Sequence, residues 1–594
     1  MSDGKPAAKT YLVEVMPLAK GRGEMLSYFS SMRLSTGTLV RVPLKKGFVF
    51  AVVGNCRSTA SAKSEIRRAG FSLRKIAKRD VYEAGFTPEF LSAVKNTSLY
   101  YASGVGTLFF SLLPKMLLEE PEKFFPKSIG KTYGRAIGLA YAGKEPLLLQ
   151  MEDEERFGQY RAMVRQCFAR RKSVMFVIPT HADAVKAALR LSRGIGPYVY
   201  VFTLKTKTSE TKRIWKQALD EEHPVLFITT AAGVAFDRWD LDTIIIEREN
   251  SRAYRSLSRP YIHLKVFLEN LCRATSRQLV LGDSVLSLET LLREKRGECT
   301  ELSLVRWRLS AASSILVDAR AKPDGKGKFE IFSPELKTLI SKALEEKDPS
   351  SHKASNGQGK IFLFGARKGL APTTICGDCG YILPCLNCGA PVVLHEPRTV
   401  LKNGAQGRSL ARVYVCHACG TRRDSKTVCG YCGSWKLVPL GAGLERIAAE
   451  ARENFHSVPV EILDKDYAPN DSSARKIVQK FNERGGILVG TELAFFHLEK
   501  VPYSALVSAD SLFSIPDFGI NERIFYLVSR LREMTQKESI IQTRNIGKQV
   551  LAWAAQGNII DFYLSEIAER KELSYPPFFI FIKIQDLRSG IDDL

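Results

Sequence analysis

The segment from 376 to 433 constrains this chain more than any other, because it carries eight cysteines as four CxxC pairs: Cys376/Cys379, Cys385/Cys388, Cys416/Cys419 and Cys429/Cys432. Glycine follows each pair directly, at Gly380, Gly389, Gly420 and Gly433. A glycine there relieves the tight knuckle turn in which backbone amides approach the thiolates. Two pairs supply four sulfurs at tetrahedral spacing, so eight cysteines build two closed all-thiolate zinc sites with no open position for catalysis. Redox CxxC motifs come singly at a helix start, so the repetition favours zinc; an iron–sulfur cluster is the other centre that thiolates hold. His395 and His417 lie near the knuckles, but eight sulfurs leave neither required as a ligand. Cys56, Cys167, Cys272 and Cys299 are scattered and read as core or surface residues. Such a module stiffens a small insertion, and Arg408, Arg412, Arg422, Arg423 and Lys436 suit this one to phosphates or to a protein partner.

A chain of 594 residues divides into several domains, since single cores stop growing well below this length. The 87 basic and 63 acidic side chains leave a net charge of +24, which points to a polyanionic partner, nucleic acid before membrane; a generally basic composition is the plain alternative. Residues 1–135 hold 22 Lys and Arg against 10 Asp and Glu, half of the whole excess. The opening "MSDGKPAAKTYLVEV" lacks the apolar core of a signal peptide, and the longest uncharged run, Asn96 to Pro114, is too rich in Ser, Thr, Gly and Asn for a membrane span. A cytosolic setting follows as the expectation. In that compartment paired cysteines mean metal rather than disulfides.

On both sides of the cysteines run short β-branched stretches: "VMFVIP" (174–179), "VLFITT" (225–230), "TIIIE" (243–247), "QLVLG" (278–282), "KIFLFG" (360–365), "ILVGT" (487–491), "ALVSAD" (505–510) and "SIIQT" (539–543). Continuous apolar strands alternating with helix-length segments predict parallel sheets covered on both faces, hence two α/β lobes. The polar stretch 347–360 reads as a linker. Two such lobes suggest a nucleotide-driven motor, which needs a phosphate loop. None is present. The "GKT" at 130–132 has Phe125 where the first glycine belongs and no β-run before it, and "GVGTLFF" and "GAGLER" lack the lysine.

The order of parts resembles the primosomal replication-restart PriA family over nearly the whole chain. The resemblance rests on "GLAPTTICGDCGYILPCLNCG", "CHACG", "CGYCGSWKLVPLGAGLERIAAEARENF", "ILVGTEL", "SADSLFSIPDFGINERIF" and "ERKELSYPPF". At the front, "STGTLVRVPLKKGFVFAVVGN" is similar to the family's small β module that holds a 3′ DNA end, and "FTPEFLSAVKNTSLYYASGVGTLFFSLLP" to its winged helix. The implied organisation is multidomain α/β: a basic β module (1–68), a winged-helix-like segment (69–135), a degenerate helicase lobe 1 (136–330), a helix and linker (331–359) and a degenerate lobe 2 (360–594). Both lobes are expected to be RecA-like, the second carrying the double zinc-ribbon insertion at about 372–440. The resemblance also implies a nested zinc pairing, with Cys376, Cys379, Cys429 and Cys432 on one ion and Cys385, Cys388, Cys416 and Cys419 on the other. Implied DNA contacts are Tyr28, Arg33, Arg41, Lys45 and Lys46, each of which also reads as a core ring or a solvated charge.

The departures fall on the motor motifs. Where the family has its GVTGSGKT loop after "PLLLQ", this chain reads "MEDEERFGQY", with Arg156 and Phe157 at the Lys and Thr positions. The carboxylates of 152–155 would repel a triphosphate. The acidic DEEH box has become "EREN", with Glu247 and the charge-reversing Arg248; "GSATPSLES" has become "GDSVLSLET"; the arginine-finger segment has shrunk to "VSRLREMTQKE", leaving Arg530 and Arg532. In the 3′-end pocket Ser27 stands where an Asp is expected, and beyond "YPPFFIFIKI" the family continues into a further domain. The resulting expectation is a fork-recognising restart protein with two Zn2+ and without its ATP and Mg2+ ligands. Its implied partners are branched DNA, single-stranded-DNA-binding protein, other primosome proteins and the replicative helicase, in the nucleoid. An active 3′ to 5′ helicase with a rebuilt phosphate site and a zinc-ribbon RNA-binding or scaffold protein are the alternatives.

Overall fold

The computed structural model describes residues 10–19, 25–44, 47–62, 66, 73–124, 144–205, 207–256, 258–304, 306–309, 312–320, 330–346, 359–365, 373–387, 389–395, 413–416, 419–424, 426–440, 443–513, 515 and 517–582. The chain falls into two compact units, Met1–Val305 and Arg306–Leu594.

The first unit opens with a six-stranded sheet made of β1 (Tyr11–Pro17), β2 (Leu26–Ser30), β3 (Thr38–Leu44), β4 (Gly47–Ser58), β5 (Arg74–Lys75) and β6 (Val81–Gly85), in the order β5-β2-β1-β4-β3-β6. Alternation along β3 and β4 sends Val40, Val42, Ala51 and Val53 into a core with Val13, Val15 and Tyr28. After it comes a seven-stranded parallel sheet: β7 (Leu147–Gln150), β8 (Ser173–Val177), β9 (Val199–Phe202), β10 (Leu226–Thr229), β11 (Leu241–Glu247), β12 (Gln278–Asp283) and β13 (Thr300–Glu301). Its order is β13-β7-β12-β11-β8-β10-β9. Helices 153–169, 181–191, 208–220, 264–275 and 288–295 lie between its strands. β8 and β10 are buried along their whole length, as strands covered on both faces must be.

In the second unit β14 (Ser313–Asp318), β15 (Lys360–Phe364), β21 (Val460–Leu463), β22 (Gly486–Gly490), β23 (Val501–Leu506) and β24 (Thr535–Thr543) form another parallel sheet, ordered β14-β24-β23-β15-β22-β21. Between β15 and β21 two small antiparallel sheets hold the cysteines: β16 (Thr373–Cys376) with β20 (Leu437–Leu440), and β17 (Val393–His395) with β18 (Val413–Val415) and β19 (Arg422–Arg423).

All eight β-branched runs therefore lie in the two parallel sheets, but two expected boundaries move. Residues 313–318, expected in the first lobe, belong to the second: Ser313–Asp318 runs parallel to β24 and pairs residue for residue with Glu538–Thr543. The segment 69–135 does not form a module of its own among its described residues: β5 pairs with β2 and β6 with β3, while Phe90 of helix 88–100 packs edge-on against Phe267 of the lobe at 5.6 Å. Phe125 and the "GKT" at 130–132 lie outside the described residues. No helix among the described residues is long and apolar enough to cross a membrane.

Candidate functional site

β7 ends at Gln150 and helix 153–169 begins shortly after it, the place where a strand-to-helix turn presents backbone amides to a phosphate. Here Asp153, Glu154 and Glu155 fill the first helical turn. Their carboxylates complement the positive end of the helix dipole, so the acidic run that a triphosphate would avoid is stabilising as it stands. One residue on, Arg156 is fully buried. Its Nε donates to Glu247 Oε2 at 2.9 Å and its Nη2 to Glu247 Oε1 at 2.7 Å, a bidentate fork between helix 153–169 and the end of β11. Nη2 also donates to Asp153 at 2.5 Å, and Nη1 to the Met151 carbonyl. Arg156 and Glu247 thus neutralise one another.

Tyr160, one helical turn after Arg156, donates its hydroxyl to Glu247 Oε2 at 2.9 Å. Gly282 in β12 makes room for it: a Cβ there would stand 1.6 Å from the Tyr160 oxygen. Burial would pull the Arg156 guanidinium down, but Glu247 and Asp153 hold it well above its ordinary value. Burial and Glu247 together push the Tyr160 hydroxyl well up, so it remains a donor at every working pH. Phe157 is a core residue, against Phe176 at 6.1 Å and under the Arg190 guanidinium at 4.3 Å.

The rest of "EREN" is equally engaged. Arg248 adopts a left-handed backbone (φ 54°) and its side chain reaches Asp183 at 3.0 Å and Asp153 at 3.4 Å. Glu249 binds the buried Lys265 at 3.0 Å and accepts from the Ser287 amide at 2.5 Å, tying β11 to the "GDSVLSLET" turn. Asn250 donates its amide to Asp283 at 3.2 Å. In the second unit Arg530 pairs with Glu533 at 2.5 Å, and Arg532 is buried with Nη1 3.3 Å from the Ala554 carbonyl. Neither arginine projects into solvent. Sequence reading passes over Tyr160 and Lys265; the signal for Lys265 is a lysine inside the apolar run "HLKVFL".

The cysteine module gathers Cys376, Cys379, Cys429 and Cys432 so that their sulfurs lie within 4.8 Å of one another, and likewise Cys385, Cys416 and Cys419. Cys388 and His417 lie outside the described residues. Sulfur separations of 3.5 Å (Cys376–Cys432), 3.6 Å (Cys379–Cys429) and 3.6 Å (Cys385–Cys419) match the ~3.8 Å edge of a tetrahedron with 2.3 Å zinc–sulfur bonds. The four knuckles repeat one turn. Gly380, Gly389, Gly420 and Gly433 all have φ between 70° and 76°, and each donates its amide to the carbonyl of the first cysteine of its pair at 2.8–3.0 Å. Only glycine adopts that conformation without strain.

Of the residues expected to meet DNA, Arg33 and Arg41 are exposed, and Lys45 and Lys46 lie outside the described residues. Tyr28 is corrected to a core residue: it is 4% exposed and its hydroxyl donates to the Pro43 carbonyl at 2.9 Å, so its ring is not available for stacking. Among the other cysteines Cys167, Cys272 and Cys299 are buried, and burial pushes the Cys272 thiol up to about 12 and Cys299 to about 11. Alkylation of the folded, metal-loaded protein at about pH 8 is expected to modify Cys56 first and to spare Cys272, as read by peptide mass spectrometry.

No protein-family model matches the chain. Among curated proteins it is 26% identical over 438 residues to a replication restart protein PriA of Chlamydia muridarum, covering 71% of this chain and 55% of the relative. The PriA of Bacillus subtilis is 26% identical over 432 residues (71% and 50%), and that of Rickettsia conorii 21% over 570 residues (92% and 82%). The chain spans about half the length of the first two. Among solved structures, S. cerevisiae Dbp5 bound to RNA and ADP BeF3 aligns over 82% of this chain and 98% of its own at 9% identity and a TM-score of 0.38. The chain therefore resembles the replication restart proteins in sequence.

Proposed function

We propose that the protein is a replication-restart DNA-binding factor that recognises stalled or abandoned forks and promotes reloading of the replicative helicase without hydrolysing ATP. The observation that supports the second half of this reading is the buried Arg156–Glu247 fork, in which the two residues expected to face phosphate and metal bind each other instead. The similarity to PriA proteins and the basic first 135 residues support the first half. In this reading Arg33, Arg41, Lys45 and Lys46 contact the backbone at single-strand/double-strand junctions. The two cysteine clusters hold one Zn2+ each, and the stiffened module docks single-stranded-DNA-binding protein, other primosome proteins and the helicase, in the cytoplasm at the nucleoid. Loss of the motor moves the work from strand separation to recognition and recruitment.

Equilibrium binding to a forked DNA, a plain duplex and a single-stranded RNA at several salt concentrations tests it. Tighter binding to the fork, weakening with salt in proportion to the phosphates contacted, is expected. Preference for the RNA would replace this reading with an RNA-binding one.

A further inference from the structure

The turn that leads into β11 exposes one large side chain and uses three buried charges to hold it. Trp239 is 67% exposed between Arg238 and Asp240, both of which are buried. Arg238 grips the Asp240 carboxylate with Nε and Nη2 at 2.8 and 3.0 Å, and donates to the Ala218, Glu221 and His223 carbonyls at the end of helix 208–220. Asp240 also accepts from the Ser173 hydroxyl at 2.6 Å, and its carbonyl from the Ser173 amide at 3.0 Å. The buried Arg277 donates to Asp237 at 2.6 Å and to the Leu241 carbonyl at 2.9 Å. The indole is thus presented from a fixed backbone, which is how a rigid aromatic anchor limits the entropy lost on binding.

Beside this turn lies a cationic one. β8 and β11 are neighbours with Ser173 opposite Leu241, so the residues just before them, Arg170–Lys172 and Trp239, lie side by side at the N-terminal end of the sheet, away from Glu247. Arg165, Arg170 and Arg171 are exposed and Lys172 is half-buried, and none of the four forms an ion pair among the described residues. The Lys172 amide donates to the Cys167 carbonyl and the Arg171 amide to the Phe168 carbonyl, both at 2.9 Å, the two bonds of a Schellman turn. Arg171 occupies its left-handed position (φ 55°), where glycine is usual. Cations at a helix C-terminus favour the dipole, so the helix itself accounts for Arg170 and Lys172. A side chain at the left-handed position carries a backbone cost that glycine avoids, and no ion pair among the described residues offsets it.

We infer that this end of the first parallel sheet is a docking surface for an acidic segment of another protein, with an apolar side chain packed on the Trp239 indole and carboxylates on Arg170, Arg171 and Lys172. Rigid tryptophans and arginines are the residues on which protein interfaces concentrate their binding energy. Nucleic acid fits the face less well. A single strand needs successive rings for successive bases, whereas one indole serves one side chain. The exposed Asp220 and Glu222, at the approach to β10 next to β8, would repel a phosphate backbone carried past the cations. The inference is independent of the DNA-binding reading proposed above, which makes no use of this end of the sheet.

The test uses the full, metal-loaded chain and a fluorescein-labelled peptide of about fifteen residues, rich in Asp and Glu with leucines interspersed, against the same peptide with Asn and Gln in place of the acids. Fluorescence anisotropy is expected to show the acidic peptide bound, more weakly as salt rises, and the neutral one unbound. Trp239→Ala should weaken binding at least ~10-fold, and the shift of tryptophan emission to shorter wavelength produced by the unlabelled peptide should vanish in that variant. Arg171→Gly should weaken it about 3-fold, the scale of one exposed ion pair, while the variant resists denaturant at least as well as the parent. That combination separates a lost contact from a lost fold. Failure of the acidic peptide to bind, or equal binding by the parent and both variants, overturns the inference and leaves the proposed function standing. Weaker binding of oligothymidylate by both variants, with the peptide unbound, would make the face a nucleic-acid contact and overturn the protein reading.

Discussion

Replacing Arg156 with alanine is expected to destabilise the first parallel sheet by about 3–5 kcal/mol, the usual consequence of leaving one member of a buried ion pair without its partner. Glu247 is 1% exposed, and in the variant it would keep Tyr160 as a donor while losing both arms of the guanidinium. Lysine at the same position should recover only part of the loss, because a point charge cannot reproduce the bidentate fork. A combined substitution to apolar residues of similar volume, Arg156→Met with Glu247→Leu and Tyr160→Phe, should restore stability to near the parent or above it, since the cost of desolvating two charges is then removed and no buried hydroxyl is left without its acceptor. Hydrogen exchange over residues 147–283, read alongside chemical denaturation, locates the effect. A motor whose phosphate site had been rebuilt would behave differently: Arg156→Ala would leave these strands protected and abolish nucleotide turnover.

Stripping the metal is expected to have an effect at least as large on the cysteine module and a small one elsewhere. The core of that module consists of the cysteines themselves with Leu383, Val392, Tyr414 and Leu437, too few apolar side chains to hold β16 to β20 without the ions. Structural zinc supplies on the order of 10–16 kcal/mol of apparent binding free energy in small domains, and with both clusters filled as proposed it would be folding free energy of the insertion. Titrating the thiolates with a mercurial should release two zinc ions per chain, and exchange protection over 373–440 should collapse as they leave. The parallel sheet of the second unit, whose core of Ile361, Leu363, Ile487, Val489, Ala505 and Ile540 contains no metal ligand, should keep its protection. Release of a single ion, or retained protection of 373–440 after release, would contradict the two-site account.

The features legible in sequence are those with short-range causes. Parallel strands can be found because full burial makes them continuous apolar runs, and the knuckles because CxxCG encodes a turn within its own few residues. What stays out of reach depends on partners far apart in the chain. Arg156 and Glu247 are 91 residues apart, and their residue types alone do not say that they meet. That they bind each other, with Gly282 opening space for Tyr160, needs the β7-β12-β11 neighbourhood. β14 reads with the wrong lobe because its partner, β24, lies far ahead in the chain, beyond the whole cysteine module. Tyr28 reads equally well as a stacking ring or a core ring until alternation is anchored to a sheet, and the burial of Val13 and Val15 beside it settles which.

The measurement that bears most directly on the central claim is DNA-stimulated ATP hydrolysis by the zinc-loaded protein on a forked substrate, with fork binding recorded in the same samples. The proposed function predicts fork binding, and the buried Arg156–Glu247 pair predicts no turnover above background and no change in binding when ATP is added. Turnover that rises with fork DNA and disappears in Glu247→Gln would contradict it, and would return the protein to the ATP-driven motors.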